Sequence, residues 1–274
     1  MLPDRRPLLH SPVMPGRRLG QHFLADASWR ARILSSLCVD SDDVWVEIGA
    51  GHGEMTHELA RSARRVVAVE VDSRLVEQLR RLAGQSPNIE IAFGDVLQLD
   101  LARIAPETRF KVYGNLPYYI SSPILHRLFQ FADRIDRIHV VLQLEVAARL
   151  VARPSSRSYG YLSVLTQFYA RPELVLRIPP GAFRPRPKVA SALVCLRLPG
   201  AQATLGLHNE SAFLRFVQAC FALKRKTLLN NLRRVLSGER AEALLRVAGL
   251  PSQVRAEQLD LNQLAALFRL ASPS

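Results

Sequence analysis

The chain has 274 residues, of which 48% are hydrophobic and 22% are charged, as in ordinary globular proteins. This composition excludes a disordered chain, a collagen-like repeat and a disulfide scaffold, and no apolar run approaches the ~20 residues that cross a bilayer. A formal net charge of +13 attracts polyanions, most often nucleic acid. Because a diffusely basic surface explains this total equally well, the positions of the basic residues matter more than their number.

Residues 1–19 mix four prolines with four arginines and contain no long apolar stretch. Prolines prevent a continuous helix, and a secretory signal needs an apolar core, so this segment is predicted to be a flexible basic arm. The cysteines are Cys38, Cys195 and Cys220. Their odd number and wide spacing predict reduced thiols, a cytoplasmic setting and no metal site.

From residue 40, short apolar runs alternate with segments of helical periodicity. The strand-like runs are 44–46, 66–69, 89–93, 111–114 and 138–144, and the helical patterns between them include 54–62 and 75–82. This alternation predicts an α/β fold with a parallel sheet and crossover helices. Two further runs, 174–178 and 192–198, have no helix between them and are predicted to pair antiparallel at the sheet edge.

Pro199 and Gly200 interrupt the chain, and a loop is expected up to about His208. Beyond it, apolar residues recur only at helical spacing, as at Phe213 and Val217. The sequence therefore predicts an α/β domain over residues 20–200 and a small all-helical domain over residues 201–274.

A glycine-rich turn follows the first strand-like run, with Gly49, Gly51 and Gly53 at alternate positions. Such a turn lets a ligand approach the backbone closely, although a simple tight turn has the same pattern. Glu70 ends the next strand, where one carboxylate can meet both ribose hydroxyls in a doubly wound sheet, and Asp95 ends the third strand. These residues predict a site for an adenosine-containing cofactor.

The glycine spacing bears on which cofactor is bound. The NAD fingerprint is Gly-x-Gly-x-x-Gly, whereas this turn is Gly-x-Gly-x-Gly. S-adenosylmethionine has no pyrophosphate, and carboxylates at Glu47 and Asp95 suit its sulfonium, amino group and adenine. The residues favour S-adenosylmethionine, with a nicotinamide-dependent oxidoreductase as the alternative.

The sequence Asn115-Leu116-Pro117-Tyr118 ends the fourth strand at the same sheet edge. The exocyclic amine of adenine is a poor nucleophile because its lone pair is delocalised into the ring. The Asn115 carboxamide oxygen and the Leu116 carbonyl can accept both amine hydrogens and so direct the lone pair toward a methyl donor. Pro117 stiffens the loop, and Tyr118 offers a stacking face worth ~1–3 kcal/mol. Methylation of an adenine amine is predicted, against the alternative of an ordinary strand-ending turn.

With these motifs the chain resembles the ribosomal RNA adenine N6-dimethyltransferases, in particular their bacterial small-subunit branch. The resemblance is carried by Gly20-Gln21-His22-Phe23-Leu24, the glycine turn, Glu70, Gly94-Asp95, Asn115-Leu116-Pro117-Tyr118, segment 183–191 and segment 224–232. It implies a seven-stranded Rossmann-like methyltransferase sheet that uses S-adenosylmethionine. The cofactor contacts that it implies are His22, Leu24, Gly49, Glu70, Asp95 and Asn115, to which the glycine pattern adds Gly51.

The same resemblance implies a substrate. It is a pair of adjacent adenines near the 3′ end of 16S rRNA, each dimethylated at N6 in the small ribosomal subunit or its precursor during ribosome biogenesis. The enzyme is expected to be a cytoplasmic monomer without a membrane partner. A macrolide-resistance type methyltransferase of 23S rRNA and a non-catalytic RNA-binding assembly factor are the alternatives. The intact Asn115 motif and glycine turn argue against lost activity.

Phe183 lies in a proline-stiffened loop and is predicted to stack on the unstacked target base opposite Tyr118, with a core position as the alternative. Basic residues of three segments are expected to contact RNA phosphates: Arg153, Arg157, Arg184, Arg186, Lys188, Lys224, Arg225 and Lys226. Two positions depart from the family pattern, because Leu144 stands where Lys is frequent and Tyr161 where Arg is common. Both departures concern RNA contacts rather than methyl transfer.

Overall fold

A computed structural model describes residues 21–107 and 109–271. The predicted basic arm, residues 1–19, lies outside this range. The strands are β1 (Phe23–Leu24), β2 (Val44–Ile48), β3 (Arg65–Glu70), β4 (Ile89–Phe93), β5 (Phe110–Asn115), β6 (Ile135–Gln143), β7 (Arg171–Ile178), β8 (Phe183–Arg184) and β9 (Ser191–Arg197). The helices are α1 (Ala27–Leu37), α2 (Glu54–Ala60), α3 (Ser73–Ala83), α4 (Leu101–Ile104), α5 (Ser121–Phe129), α6 (Leu144–Leu150), α7 (Tyr161–Tyr169), α8 (Gln202–Leu205), α9 (Glu210–Cys220), α10 (Leu228–Leu232), α11 (Gly238–Val247) and α12 (Leu261–Ala271).

One seven-stranded sheet organises the α/β part, with strand order β4-β3-β2-β5-β6-β9-β7. Strands β2 to β6 run parallel, whereas β9 is antiparallel to both β6 and β7. All five residues of β2 are buried, because helices cover both faces of this central strand. The predicted Rossmann-like sheet is confirmed, and β7 with β9 forms the expected antiparallel pair.

Side-chain alternation along the strands divides the core between the two faces of the sheet. Val46 and Ile48 of β2 point into a core shared with α4 and α5, whereas Trp45 points into a core shared with α1 and α2. The carboxyl ends of β2, β3, β4 and β5 meet at one edge of the sheet because these strands are parallel neighbours. This edge collects the residues of the predicted site.

Local boundaries differ from the sequence pattern in three places. Helix α1 has no counterpart among the predicted elements, although Asp26 caps it by accepting the N–H groups of Ser28 and Trp29 at 2.8 and 3.3 Å. Helix α8 interrupts the expected loop, and Leu144 begins α6 instead of ending a strand. Across residues 21–107 and 109–271, each helix is too short or too polar to span a membrane.

Helices α9 to α12 enclose a second core, to which α7 also contributes. Val164 and Phe168 of α7 are fully buried in this core, whereas Leu165 packs in the core of the sheet. Gly200 lies at the junction, where a Cβ would come within 2.3 Å of the Ala170 backbone nitrogen. The division of the chain at residue 200 stays a prediction, and α7 belongs to the cores on both sides of it.

Candidate active site

The glycine turn follows β2 and leads into α2. Gly49, Gly51 and Gly53 have φ of 72°, 60° and 88°, in the left-handed region that glycine adopts readily. At Gly51 a Cβ would also lie 3.0 Å from the ring of Phe23. The Gly51 N–H donates to Oε2 of Glu70 at 2.9 Å. Gly51 therefore shapes the predicted site through Glu70, without lining the cleft that Gly49 lines.

Glu70 ends β3 with only 2% of its surface exposed. Its Oε2 accepts the Gly51 N–H, and its Oε1 accepts the N–H groups of Val71 and Asp72 at 2.9 and 3.0 Å. A carboxylate offers about four acceptor positions. Because the backbone fills three of them, Glu70 has room for about one ribose hydroxyl rather than two.

A cleft opens at the ends of β2, β3 and β4. Asp95 lines it together with Gly49 and Glu70. The Asp95 Oδ1 accepts the Leu97 N–H at 2.9 Å, and within the described ranges its Oδ2 accepts no hydrogen bond. The sequence indicated no role for eight further lining residues: Gln21, Ile48, Val69, Val71, Val96, Tyr119, Ile120 and Ile124. The sequence could have indicated Val71 and Val96, because each directly follows one of the predicted cofactor acids, Glu70 and Asp95, and has an apolar side chain.

Glu47 does not reach the cleft, so the expectation that its carboxylate serves the cofactor is wrong. Its side chain is buried and accepts a hydrogen bond from Thr56 Oγ1 at 2.6 Å, which links β2 to α2. Burial raises the pKa of Glu47 to about 8, against the opposing effect of the Thr56 hydrogen bond. Glu47 therefore supports the glycine turn as a buried acid that is largely protonated at neutral pH.

Replacing Glu47 with Gln is expected to flatten the pH dependence of stability. The folded pKa of about 8 exceeds the ordinary value of 4.5, so the folded state binds this proton more tightly. The resulting stabilisation is complete below the ordinary value and is lost as the pH rises toward the folded pKa. The Gln amide imitates the protonated acid at every pH. Urea unfolding between about pH 5 and about pH 8 should show a steeper loss of unfolding free energy for wild type than for E47Q.

Glu77 provides the control, because it is an exposed carboxylate on α3, 3.6 Å from Arg80. E77Q should keep the wild-type pH dependence. Equal slopes for wild type and E47Q would contradict a protonated Glu47.

Asn115 is the last residue of β5, and its amide is held from one side. The Nδ2 group donates a hydrogen bond to the carbonyl of His22 at 2.8 Å, which assigns the amide nitrogen to that side. Across the described parts of the chain, Oδ1 receives no hydrogen bond. His22 thus positions the carboxamide through its backbone and leaves the amide oxygen available to a substrate N–H.

The Asn-Leu-Pro-Tyr sequence lines a second, small cavity. This cavity and the cofactor cleft share Gln21, Gly49 and Pro117 as lining residues, so they adjoin. The Leu116 side chain is buried, and its carbonyl accepts no hydrogen bond within residues 21–107 and 109–271. Two acceptors, one amide oxygen and one peptide oxygen, are therefore available beside the cleft.

Tyr118 is half-buried in the second cavity. Its hydroxyl lies 2.6 Å from Ser191 Oγ, and its ring is stacked on that of His22 with centroids 5.3 Å apart. Burial raises the pKa of Tyr118, so the hydroxyl is neutral at physiological pH. Sequence reasoning missed Ser191 as the residue that fixes the Tyr118 ring, although it ends one of the motifs of the family resemblance.

Strand β1 determines where two predicted contact residues lie, because it pairs with β8 and places Leu24 opposite Phe183. Phe183 is 0% exposed and packs in one core with Ile33 and Trp45. Phe183 therefore occupies a core position in this arrangement, and its stacking on a base opposite Tyr118 stays a prediction. Leu24 is buried in the same core, so only its backbone is available to a cofactor.

The predicted RNA-contacting residues are all exposed, and in the described parts of the chain none forms an ion pair: Arg153, Arg157, Arg184, Arg186, Lys188, Lys224, Arg225 and Lys226. Residues 184–188 form a loop beside the second cavity. The other two segments meet at Glu257, whose carbonyl accepts the Ser155 N–H at 2.7 Å and which lines a cavity with Lys224 and Lys226. Tyr161 lines the same cavity, so this departure from the family pattern lies away from the predicted methyl-transfer site.

Comparison with known proteins gives concordant matches. The family model for ribosomal RNA adenine dimethylase matches residues 16–272. The chain is 40% identical to ribosomal RNA small subunit methyltransferase A of Koribacter versatilis over 92% of each chain, and 39% identical to the protein of that name from Shewanella oneidensis over 93% of each. A solved dimethyladenosine transferase from Plasmodium falciparum has a TM-score of 0.74 at 23% identity, covering 90% of this chain and 96% of that one. The 23S rRNA methyltransferase ErmE has a TM-score of 0.66 at 30% identity, covering 90% and 98%.

The sheet order, the glycine turn and the acids after β3 and β4 define an S-adenosylmethionine-dependent methyltransferase. The residues of the cleft fit this cofactor: Glu70 could accept a ribose hydroxyl, Val71 and Val96 could pack on the adenine, and Asp95 Oδ2 accepts no hydrogen bond within the described residues. The chain belongs to the ribosomal RNA adenine dimethylase family, and its substrate is therefore ribosomal RNA.

Proposed function

We propose that the protein transfers methyl groups from S-adenosylmethionine to N6 of two adjacent adenines near the 3′ end of 16S rRNA, in the small ribosomal subunit or its precursor. One observation carries this proposal: the Asn115 amide is tied to the His22 carbonyl at 2.8 Å, beside the cofactor cleft. The choice of RNA is supported by relatives of 40% and 39% identity that are named small subunit methyltransferases.

Bound in the cleft, S-adenosylmethionine supplies an electrophilic methyl group on a sulfonium. The Asn115 Oδ1 and the Leu116 carbonyl accept the two hydrogens of the adenine amine, which directs the nitrogen lone pair toward the cleft. Tyr118 stacks against the extruded base. Catalysis then rests mainly on positioning and on hydrogen bonds aimed at the amine. The methylated nitrogen is cationic and acidic, so its proton passes to solvent without a strong general base.

The two basic surfaces are proposed to hold the RNA. The loop of residues 184–188 presents Arg184, Arg186 and Lys188 beside the second cavity, where the phosphates flanking a target base would lie. The Arg153–Arg157 and Lys224–Lys226 segments form a second surface, which includes part of the helical domain. We propose that the enzyme acts on the subunit as a monomer in the cytoplasm.

Similarity to the 23S rRNA methyltransferase ErmE, at 30% identity and a TM-score of 0.66, favours a second candidate function on large-subunit RNA. The higher identity of the small-subunit relatives favours 16S rRNA. Segments 183–191 and 224–232 carry the resemblance to the small-subunit branch and support the same choice.

Transfer of labelled methyl groups to purified, unmethylated small subunits tests this function. We expect the label on two adjacent adenines near the 3′ end of 16S rRNA, mapped by mass spectrometry of nuclease fragments, because the Asn115 and Leu116 oxygens can accept both hydrogens of an adenine amine. Large subunits are the control. Label in large subunits alone would establish the second candidate, and label in neither would contradict both.

A further inference from the structure

A short N-terminal strap, residues 21–24, lies across the second cavity. Phe23 and Leu24 form β1 and pair antiparallel with β8. Immediately after the strap, the N–H groups of Ala25 and Asp26 both donate to the Ala182 carbonyl, at 3.0 and 3.2 Å. These backbone bonds fix the C-terminal end of the strap without any help from the His22 side chain.

His22 of the strap touches three functional parts at once. Its Nδ1 lies 2.7 Å from the Pro185 carbonyl, and because a carbonyl only accepts, Nδ1 carries the hydrogen. Its own carbonyl accepts the Asn115 amide at 2.8 Å. Its ring lies on Tyr118 with an interplanar angle of 29°. His22 therefore connects the Asn115 carboxamide and the Tyr118 ring to Pro185.

Pro185 is the second residue of the basic loop, residues 184–188. Its neighbours Arg184 and Arg186 are exposed, as is Lys188, and none of the three forms an ion pair within the described residues. Among the described residues, the Arg184 side chain donates hydrogen bonds only to the carbonyls of Gly181 and Phe183, at 3.2 and 3.0 Å. A phosphate held by this loop would fix the position of the Pro185 carbonyl that His22 binds.

We propose that His22 is a positioning residue that couples the basic loop to the Asn115 amide, so that an RNA phosphate bound at the loop sets the geometry for methyl transfer. This inference rests on the proposed function, because it assumes that an adenine amine meets Asn115. The physical link is continuous: loop backbone, imidazole Nδ1–H, His22 backbone, Asn115 amide. If this coupling exists, a substitution in the basic loop must change the rate of the chemical step as well as the affinity for RNA.

A double-mutant cycle between His22 and Arg186 tests this coupling. H22F keeps an aromatic ring over Tyr118 but removes the Nδ1–H, and R186A removes one phosphate contact. In wild type, R186A should raise KM for small subunits and also lower kcat. In the H22F background it should raise KM alone, because the link to Asn115 is already cut. We expect H22F itself to lower kcat by about 10-fold, with a smaller loss of affinity for S-adenosylhomocysteine.

H22N provides the rescue, because its amide places a donor near the position of Nδ1. It should recover kcat to within about 3-fold of wild type and restore the response of kcat to R186A. H57F is the matched control, since His57 is exposed on α2 and its side chain makes no hydrogen bond within the described residues. If H22F does not fold, the same cycle with H22A decides the question.

Independent effects of H22F and R186A on kcat would overturn the coupling while leaving the proposed function intact. A loss of S-adenosylhomocysteine affinity that matches the loss of kcat/KM would also overturn it, because His22 would then act as a cofactor contact. Wild-type enzyme that labels neither subunit would remove the proposed function and this coupling together.

Discussion

Replacing Asn115 with Ala is expected to lower the rate of methyl transfer severely while RNA affinity stays close to wild type. The variant loses the amide oxygen that receives the adenine amine, and it leaves the His22 carbonyl without its donor. Loss of one preorganised hydrogen-bonding group in an active site lowers kcat by ~10²–10³-fold. Single-turnover methylation of small subunits measures this loss, with calorimetry for the cofactor and filter binding for RNA.

N115D separates the two roles of the amide. It keeps an oxygen on the substrate side but replaces the Nδ2 donor with an acceptor that faces the His22 carbonyl. It should therefore also be inactive, because the side chain can no longer be held in place. N262A, at an exposed position of α12, is the matched control. Turnover of N115A near the wild-type rate would remove Asn115 from the mechanism.

Replacing Glu70 with Gln is expected to weaken S-adenosylmethionine binding by about 10- to 100-fold, the equivalent of ~1.5–3 kcal/mol for a hydrogen bond to a charged group. The change is nearly isosteric, but every contact of this carboxylate is with a donor. Gly51 donates to one oxygen, and Val71 and Asp72 donate to the other. In the Gln variant, an amide nitrogen at either oxygen position would face a backbone N–H group. The hydrogen bonds that hold the glycine turn and the acceptor for a ribose hydroxyl are therefore expected to be disturbed together.

Isothermal titration with S-adenosylhomocysteine measures the effect of E70Q on affinity, and thermal unfolding measures its effect on stability. E77Q, on the exposed face of α3, should leave both unchanged. Unaltered cofactor affinity in a folded E70Q variant would exclude Glu70 from the site.

The sequence locates the site because parallel strands bring their carboxyl ends to one edge. Glu70 and Asn115 end their strands and Asp95 lies two residues after β4, so their meeting at this edge can be predicted without knowing how side chains pack. What the sequence could not predict depends on contacts between distant segments. Strand β1 lies against β8, and only this pairing explains why Phe183 is buried and why Asn115 is held by the His22 carbonyl.

Two predictions about carboxylates were only partly right or wrong, and they too depended on contacts that the sequence pattern does not show. The sequence predicts that the Glu70 carboxylate binds both ribose hydroxyls. In the structure, three backbone N–H groups already donate to this carboxylate. The position of one donor, Gly51, depends on the backbone path of the glycine turn. Likewise, Glu47 precedes the glycines in sequence, yet strand alternation sends its side chain toward Thr56 and away from the cleft. Periodicity gives the direction of a side chain only when its register on the strand is known.

Helix α7 has a consequence for how the enzyme can be divided. Val164 and Phe168 are fully buried against α9 to α12, while Leu165, on the same helix, packs against the sheet. A shortened protein that ended at residue 200 would expose the apolar face of α7 that carries Val164 and Phe168, and it would tend to aggregate. Because α7 contributes to both cores, the sheet and helices α9 to α12 are expected to fold together.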